Sequence, residues 1–182
     1  MASRLELDTA RLRLRHWRDT DLDALAQLCA DPEVMRYAPA LLSRDECAAL
    51  LVRCRLQFLQ HGFGLWALEY RQSQQLIGFC GLVAQTEGST AEVIWRLGYR
   101  HWGKGLAREA LQATLDCAFG PLGLDEVSAV AAALDEPAQQ LLESLGMRHD
   151  PRDDFVHPAL AEGHPLRRQR RYRQRRCDWR RC

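Results

Sequence analysis

The sequence predicts an α/β protein of the α+β kind, with one mixed sheet covered by helices on both faces. Three observations carry this. Arg11-Leu12-Arg13-Leu14-Arg15 alternates strictly, the pattern of a half-buried strand. Residues 64–70 and 76–84 are apolar runs joined by the polar turn Arg71-Gln72-Ser73-Gln74-Gln75, a hairpin. Beyond them, stretches with apolar residues at helical spacing surround the continuous apolar run Val127 to Ala133, which suits a buried strand.

The remaining elements follow in order. Asp19 and Thr20 are cap residues for a helix whose apolar positions are Leu22, Leu25, Ala26 and Leu28. Ser43-Arg44-Asp45-Glu46 has capping-box spacing and opens a second helix through Leu50, Leu51, Cys54 and Phe58, ending near Gly62. Thr90 to Leu97 reads as a strand. Gly105 to Phe119 forms a helix with the stripe Ala107, Ala110, Leu111, Thr114, Leu115 and Ala118, stopped by Gly120-Pro121. Pro137 suits the first turn of another helix, through Leu141, Leu142 and Leu145 to Gly146. Pro151, Pro158, Gly163 and Pro165 mark a loop leading to a last, arginine-rich strand.

At 182 residues, residues 1–182 form a single expected domain. No apolar run approaches the ~20 residues that span a bilayer, so no membrane partner is expected. Met-Ala-Ser-Arg-Leu-Glu-Leu-Asp is too charged for a signal peptide core, and a cytoplasmic location is the default expectation. The cysteines Cys29, Cys47, Cys54, Cys80, Cys117, Cys177 and Cys182 form no C-x-x-C pair and lie at no zinc-ligand spacing. They read as small apolar filler, with no metal expected. The net charge of +1 hides an asymmetry, since residues 167–182 hold nine arginines against one acid, Asp178. That segment reads as a solvated final strand and tail in preference to a nucleic-acid surface.

The richest stretch is Arg100-His101-Trp102-Gly103-Lys104-Gly105-Leu106-Ala107, which holds the only lysine of the chain. Two glycines let the backbone bend and approach a ligand closely. The helix behind them offers N–H groups without intrahelical partners and a partial positive charge. This is a phosphate site in kind. It is not a Walker loop, because Leu106 follows Gly105 where that motif needs Lys and then Ser or Thr. Nor does it complete a dinucleotide fingerprint, whose sixth position would fall on Arg108.

Arg-x-x-Gly-x-Gly followed by an amphipathic helix resembles the acyl-coenzyme A signature of the GNAT N-acetyltransferase superfamily. The flanks are similar too. Glu92-Val93-Ile94-Trp95-Arg96-Leu97 resembles the family's fourth strand, and Leu142-Glu143-Ser144-Leu145-Gly146-Met147 its Leu-Glu-Lys-Leu-Gly-Phe helix end. Thr9 to Arg15, Asp154-Phe155-Val156-His157-Pro158 and Glu162-Gly163-His164-Pro165-Leu166 are similar to the RimJ/RimL-type branch.

The resemblance implies a mostly antiparallel sheet with a splayed fourth and fifth strand, acetyl-coenzyme A as co-substrate, and acetyl transfer to a primary amine by direct attack. The acceptor would be a protein N-terminus or a small amine, and the protein a monomer or homodimer. Main-chain N–H groups from Trp102 through Gly103, Lys104, Gly105 and Leu106 to Ala107 would hold the pyrophosphate, with His101 in the same loop. Arg100, Lys104 and Arg108, spaced by four, would meet phosphates. Main-chain groups of Trp95, Arg96 and Leu97 would hold the pantetheine arm, and the Leu97 N–H the developing oxyanion. Trp102 is expected to pack beside the loop, and Glu92 and His157 are the candidate general bases. Asp135 stands where the family usually has asparagine, Ala138 where it often has serine, and no tyrosine lies near Leu141 and Leu142 to protonate the thiolate. Those departures leave a catalytically silent acyl-coenzyme A-binding module as the alternative, and the arginine tail leaves a ribosome- or RNA-associated one. Arg170 and Arg171 fill usually apolar positions, which predicts an exposed edge strand.

Overall fold

The computed structural model describes residues 5–85 and 89–179. Its elements are β1 (Leu7–Asp8), β2 (Leu12–Arg15), α1 (Leu22–Ala30), α2 (Arg44–His61), β3 (Leu65–Tyr70), β4 (Gln75–Ala84), β5 (Thr90–Leu97), α3 (Leu106–Phe119), β6 (Glu126–Ala132), α4 (Glu136–Ser144), β7 (Arg148–His149), β8 (Phe155–Val156) and β9 (Arg168–Arg175). Helix ends fall where local chemistry puts them. Ser43 accepts from the Glu46 N–H while Glu46 reaches back, the expected capping box, and Gly62 closes α2 at φ 75°. Asp135 caps α4 and accepts from the Ala138 N–H.

The strands form one sheet in the order β1-β2-β3-β4-β5-β6-β9-β7, with β8 also on β9. Every neighbouring pair is antiparallel except β5 and β6, which run parallel. Their pairing covers only Thr90–Glu92 against Glu126–Ser128, and beyond Glu92 the two strands part. This is the expected splayed pair, counted fifth and sixth here because the two-residue β1 precedes them.

Side-chain alternation divides the sheet between two cores. On one face Leu106, Ala110, Leu111 and Leu115 of α3 and Leu142 of α4 pack on Leu14, Val93, Leu97, Val127, Ala129 and Tyr172. On the other, Leu25 and Cys29 of α1 and Cys47, Leu51 and Cys54 of α2 pack on Trp17, Leu65, Ala67 and Phe79, with Ile94 against them. Each fully buried leucine contributes about 1.5–3 kcal/mol. By parity, Glu92, Ile94 and Arg96 of β5 share the α1/α2 face. The register Glu92↔Ser128↔Arg173 carries that face to Ser128 and Val130 of β6 and to Arg171 and Arg173 of β9.

Two expectations need correcting. Arg15, expected on the solvent side of its strand, is buried and pairs with Asp21 (2.8 Å) and Glu69 (2.5 Å), tying β2 to β3 and to the turn before α1. Nor is the arginine-rich strand an exposed edge. β9 is flanked by β6 on one side and by β7 and β8 on the other, short strands that periodicity could not announce. Its charges are carried by acids brought in from elsewhere: Arg173 meets Glu126 (2.6 Å) and Asp153 (2.8 Å), and Arg176 just beyond it meets Asp125 (2.9 Å). Cys182 and the last two arginines lie outside the described residues.

Candidate functional site

The site is built where β5 leaves β6. In the antiparallel β4–β5 ladder the Gln85 N–H donates to the Thr90 carbonyl and the Gly98 N–H to the Ile77 carbonyl. Hydrogen-bonded and non-hydrogen-bonded pairs alternate along such a ladder. Even-numbered residues of β5 therefore spend their main-chain groups on β4, and odd-numbered ones turn theirs toward β6. Past Glu92 no β6 partner is in register, so the main-chain groups of Trp95 and Leu97 face the gap. The main chain of Arg96 is held by Phe79 instead. The indole N–H of Trp102 donates to the Leu97 carbonyl (2.8 Å), and its ring meets Tyr99 edge-on at 5.2 Å. Trp102 thus fastens the loop to the end of β5, and its own main-chain N–H is spent on the Tyr99 carbonyl (3.1 Å), so it is not among the donors expected for a pyrophosphate.

The gap runs to the loop between β5 and α3. After a 3₁₀ turn at Tyr99–His101, Gly103 and Gly105 adopt φ 71° and 74°, which L side chains rarely reach. A Cβ on Gly103 would meet nothing within 4 Å, so the backbone there lies open. Gly105 precedes a 14-residue helix, and no side chain caps its N-terminus. Free N–H groups and the helix dipole converge at one open place. Lys104 and Arg100 are exposed and among the described residues form no ion pair. They lower the pKa of the neighbouring His101, though its partial burial is the larger cause. Arg108 turns away, with its guanidinium directed to the Ser144 carbonyl of α4 at 3.4 Å. The three spaced cations are therefore two at the loop and one between helices.

Arg11 is a site residue that the sequence did not announce. Its Nη1 donates to the Lys104 carbonyl (2.8 Å), and its Nε pairs with Glu109 (2.7 Å), which also accepts from Thr9 Oγ1 (2.6 Å). The segment before β2 thus clamps the loop from 93 residues away in sequence.

Glu92 lies half-buried on β5 on the α1/α2 face, where the gap begins. Burial pushes its pKa upward, and the Arg171 guanidinium opposes that. His157 follows β8. Its N–H donates to the Arg167 carbonyl (2.7 Å), and its Nδ1 accepts from the Ala159 N–H (3.3 Å). The sheet links these regions, since Arg171 stacks over Phe155 of β8 at 5.0 Å, two residues before His157. Asp135 stands on the β6 side, its carboxylate engaged in capping α4 and its pKa raised by burial. Cys54 and Cys80 are buried, with thiols pushed up to about 11 and about 12, and supply no thiolate at neutral pH.

The model of the acetyltransferase (GNAT) domain family matches residues 11–148, from the strand that clamps the loop to the end of α4 and beyond. The chain belongs to the GNAT acetyltransferase family. It is 31% identical over 147 residues to the uncharacterized N-acetyltransferase p20 of Bacillus licheniformis, covering 79% of this chain and 83% of that one. The fold superposes on a GNAT-family acetyltransferase from Bacillus anthracis with a TM-score of 0.80 at 21% identity, over 94% of this chain and 99% of the other. It also superposes on a spermidine N-acetyltransferase from Vibrio cholerae in complex with CoA and spermine, with a TM-score of 0.77 at 22% identity, over 93% and 98% of the two chains. This GNAT protein is accordingly an acetyltransferase that uses acetyl-coenzyme A.

Proposed function

We propose that this acetyltransferase moves an acetyl group to a primary amine by direct attack, with the coenzyme held in the gap between β5 and β6. The observation that carries the reading is that the main chain of Trp95 and the Leu97 N–H face a gap with no β6 partner in register, and that this gap leads to the N-terminus of α3, which no side chain caps. The residues present suit the coenzyme. Backbone N–H groups from Gly103 to Ala107 suit the pyrophosphate, with Lys104 and Arg100 adding charge, while the main chain of Trp95 suits a pantetheine amide. A hydrogen bond to a charged group is worth about 1.5–3 kcal/mol, so a few anchor it. Acetyl-coenzyme A supplies the thioester, whose C–S bond breaks as the new C–N bond forms and whose sulfur takes up a proton.

The chain's own contribution is positioning, proton handling and one donor. The Leu97 N–H, turned into the gap, donates to the acyl oxygen as charge develops there. Glu92 takes the proton of the acceptor's ammonium on its carboxylate, which burial makes more basic than an ordinary glutamate. His157 is the second candidate for that task. Its ring nitrogen Nδ1 is already engaged, and Glu92 stands directly at the opening of the gap, so we assign the base to Glu92.

Free-thiol release from acetyl-coenzyme A across peptides and small amines tests the reaction. Release above background with at least one amine is expected. Coenzyme binding without release on any amine would leave a silent binding module. Gly103→Ala forces a side chain into a left-handed conformation, costing about 1–2 kcal/mol, and Lys104→Glu reverses a charge. Each should weaken coenzyme A binding at least about tenfold. Unchanged affinity in both would place the pyrophosphate elsewhere.

A further inference from the structure

Most arginines of β9 and its surroundings have acidic or polar partners. Arg167, just before β9, leaves its buried Nε without a hydrogen-bond partner, and two further half-buried arginines beside the gap have no hydrogen-bonded side-chain partner. Arg96 on β5 and Arg171 on β9 lie on the same sheet face, on opposite sides of the gap, with Glu92 on that face as well. Each is stacked on an aromatic ring, Arg96 over Phe79 at 5.4 Å and Arg171 over Phe155 at 5.0 Å. Among the described residues neither has an ion pair or a side-chain hydrogen bond. By contrast, Arg170 donates to Gln139 on the opposite face, and Arg173 takes two carboxylates.

Stacking holds the plane of a guanidinium while leaving its in-plane N–H donors free, the arrangement that receives a carboxylate. Arg171 feels the Glu92 carboxylate at longer range, but neither guanidinium has a hydrogen-bonded counter-ion, and a bound anion supplies one. The α1/α2 face thus offers one carboxylate, Glu92, suited to an ammonium group, and two pre-oriented guanidiniums suited to an anion.

We propose that the acceptor is an amine that also carries a carboxylate, read by Arg96 and Arg171 while its nitrogen lies at Glu92. This rests on the acetyltransferase reading above and narrows its acceptor. Polyamines, all cation, meet two like charges on this face and are rejected. Arg96 and Arg171 are then specificity residues, and their effect falls on acceptor choice rather than on the coenzyme.

The test compares matched acceptors. Amino acids and short peptides with acidic first residues are set against their carboxamide counterparts and against spermidine, with the full chain and acetyl-coenzyme A. We expect kcat/KM to favour the carboxylate member of the best pair by at least about tenfold. In R96Q and R171Q that ratio should fall toward one, mainly through KM, while R96K and R171K recover part of it. A ratio near one in the wild-type protein, or spermidine as the best acceptor, overturns the proposal without any variant having to fold. If no amine is acetylated, the transferase reading fails. The carboxylate requirement is then judged by calorimetry on the coenzyme A-loaded protein, where equal binding of acid and amide overturns it.

Discussion

In the proposed reaction, Glu92 is the one carboxylate that takes the acceptor's proton. Its pKa is raised in the folded protein, chiefly because burial disfavours the charged form. The folded state therefore holds the proton to higher pH than the unfolded chain does. Stability from this group falls as pH rises from 4.5 through the raised value, and the full cost persists above it. Glu92→Gln should remove that slope and raise the melting temperature at neutral pH relative to wild type. The same substitution should lower kcat by about 10²–10⁴-fold and erase the acidic limb of the rate profile that the raised Glu92 pKa sets. A loss smaller than about threefold would move the base to His157. Asp135 makes a second residue-scale test, since asparagine caps a helix as well as aspartate does. Asp135→Asn should keep the melting temperature and tighten coenzyme A binding, because a buried charge is replaced by an amide that can also donate. Asp135→Ala loses the cap bond to Ala138 and should cost about 0.5–2 kcal/mol in thermal unfolding.

At the scale of elements, the loop before α3 is held from outside. Arg11 binds the Lys104 carbonyl and Glu109, fixing the path of the backbone through Gly103 and Gly105. Exposed ion pairs contribute about 0–1 kcal/mol to stability, so Arg11→Ala should leave unfolding almost unchanged. It should nevertheless weaken coenzyme A binding by about tenfold, because the loop is no longer pre-organised. Equal losses in stability and binding, measured by denaturant titration and calorimetry, would make Arg11 a general fold residue. This clamp also marks where the sequence stops being readable. The capping box at Ser43, the stop at Gly62, the hairpin and the apolar β6 all depend on neighbours a few residues away, and each stands as the pattern predicts. The two-residue strands β1, β7 and β8 have no period to read. The burial of Arg15 depends on Glu69, 54 residues away. The bend of the glycine loop was legible because its chemistry is local, with Gly103 and Gly105 both in the left-handed region. The orientation of Arg96 and Arg171 toward a common face was not, since it follows from sheet register.

Across the whole molecule, the sheet is two halves joined by a short seam. β1 to β5 and β6 to β9 share the pairing of Thr90–Glu92 with Glu126–Ser128 and, beside it, the bond from the Asp125 N–H to the Ser89 carbonyl (2.8 Å), helped by α3, which packs on both sides. In the proposed placement a coenzyme would touch β5, the loop and the first turn of α3 beside β6, and so would close the seam that the sheet leaves open. Ligand that binds only the folded state adds about 2.7 kcal/mol at a hundred times its Kd. The local effect should be more telling than the global one. Hydrogen exchange should slow at the amides of Trp95, Leu97 and residues 103–107, with little change in the β2–β3–β4 ladder, whose bonds are already paired. Binding should also weaken as salt rises from low to physiological strength, because exposed Arg100 and Lys104 are screened over about 8–10 Å. Protection confined to the α1/α2 face, or affinity indifferent to salt, would mean that the seam is not where the coenzyme lies. The two halves would then be joined by the short β5–β6 pairing and α3 alike, with or without the coenzyme.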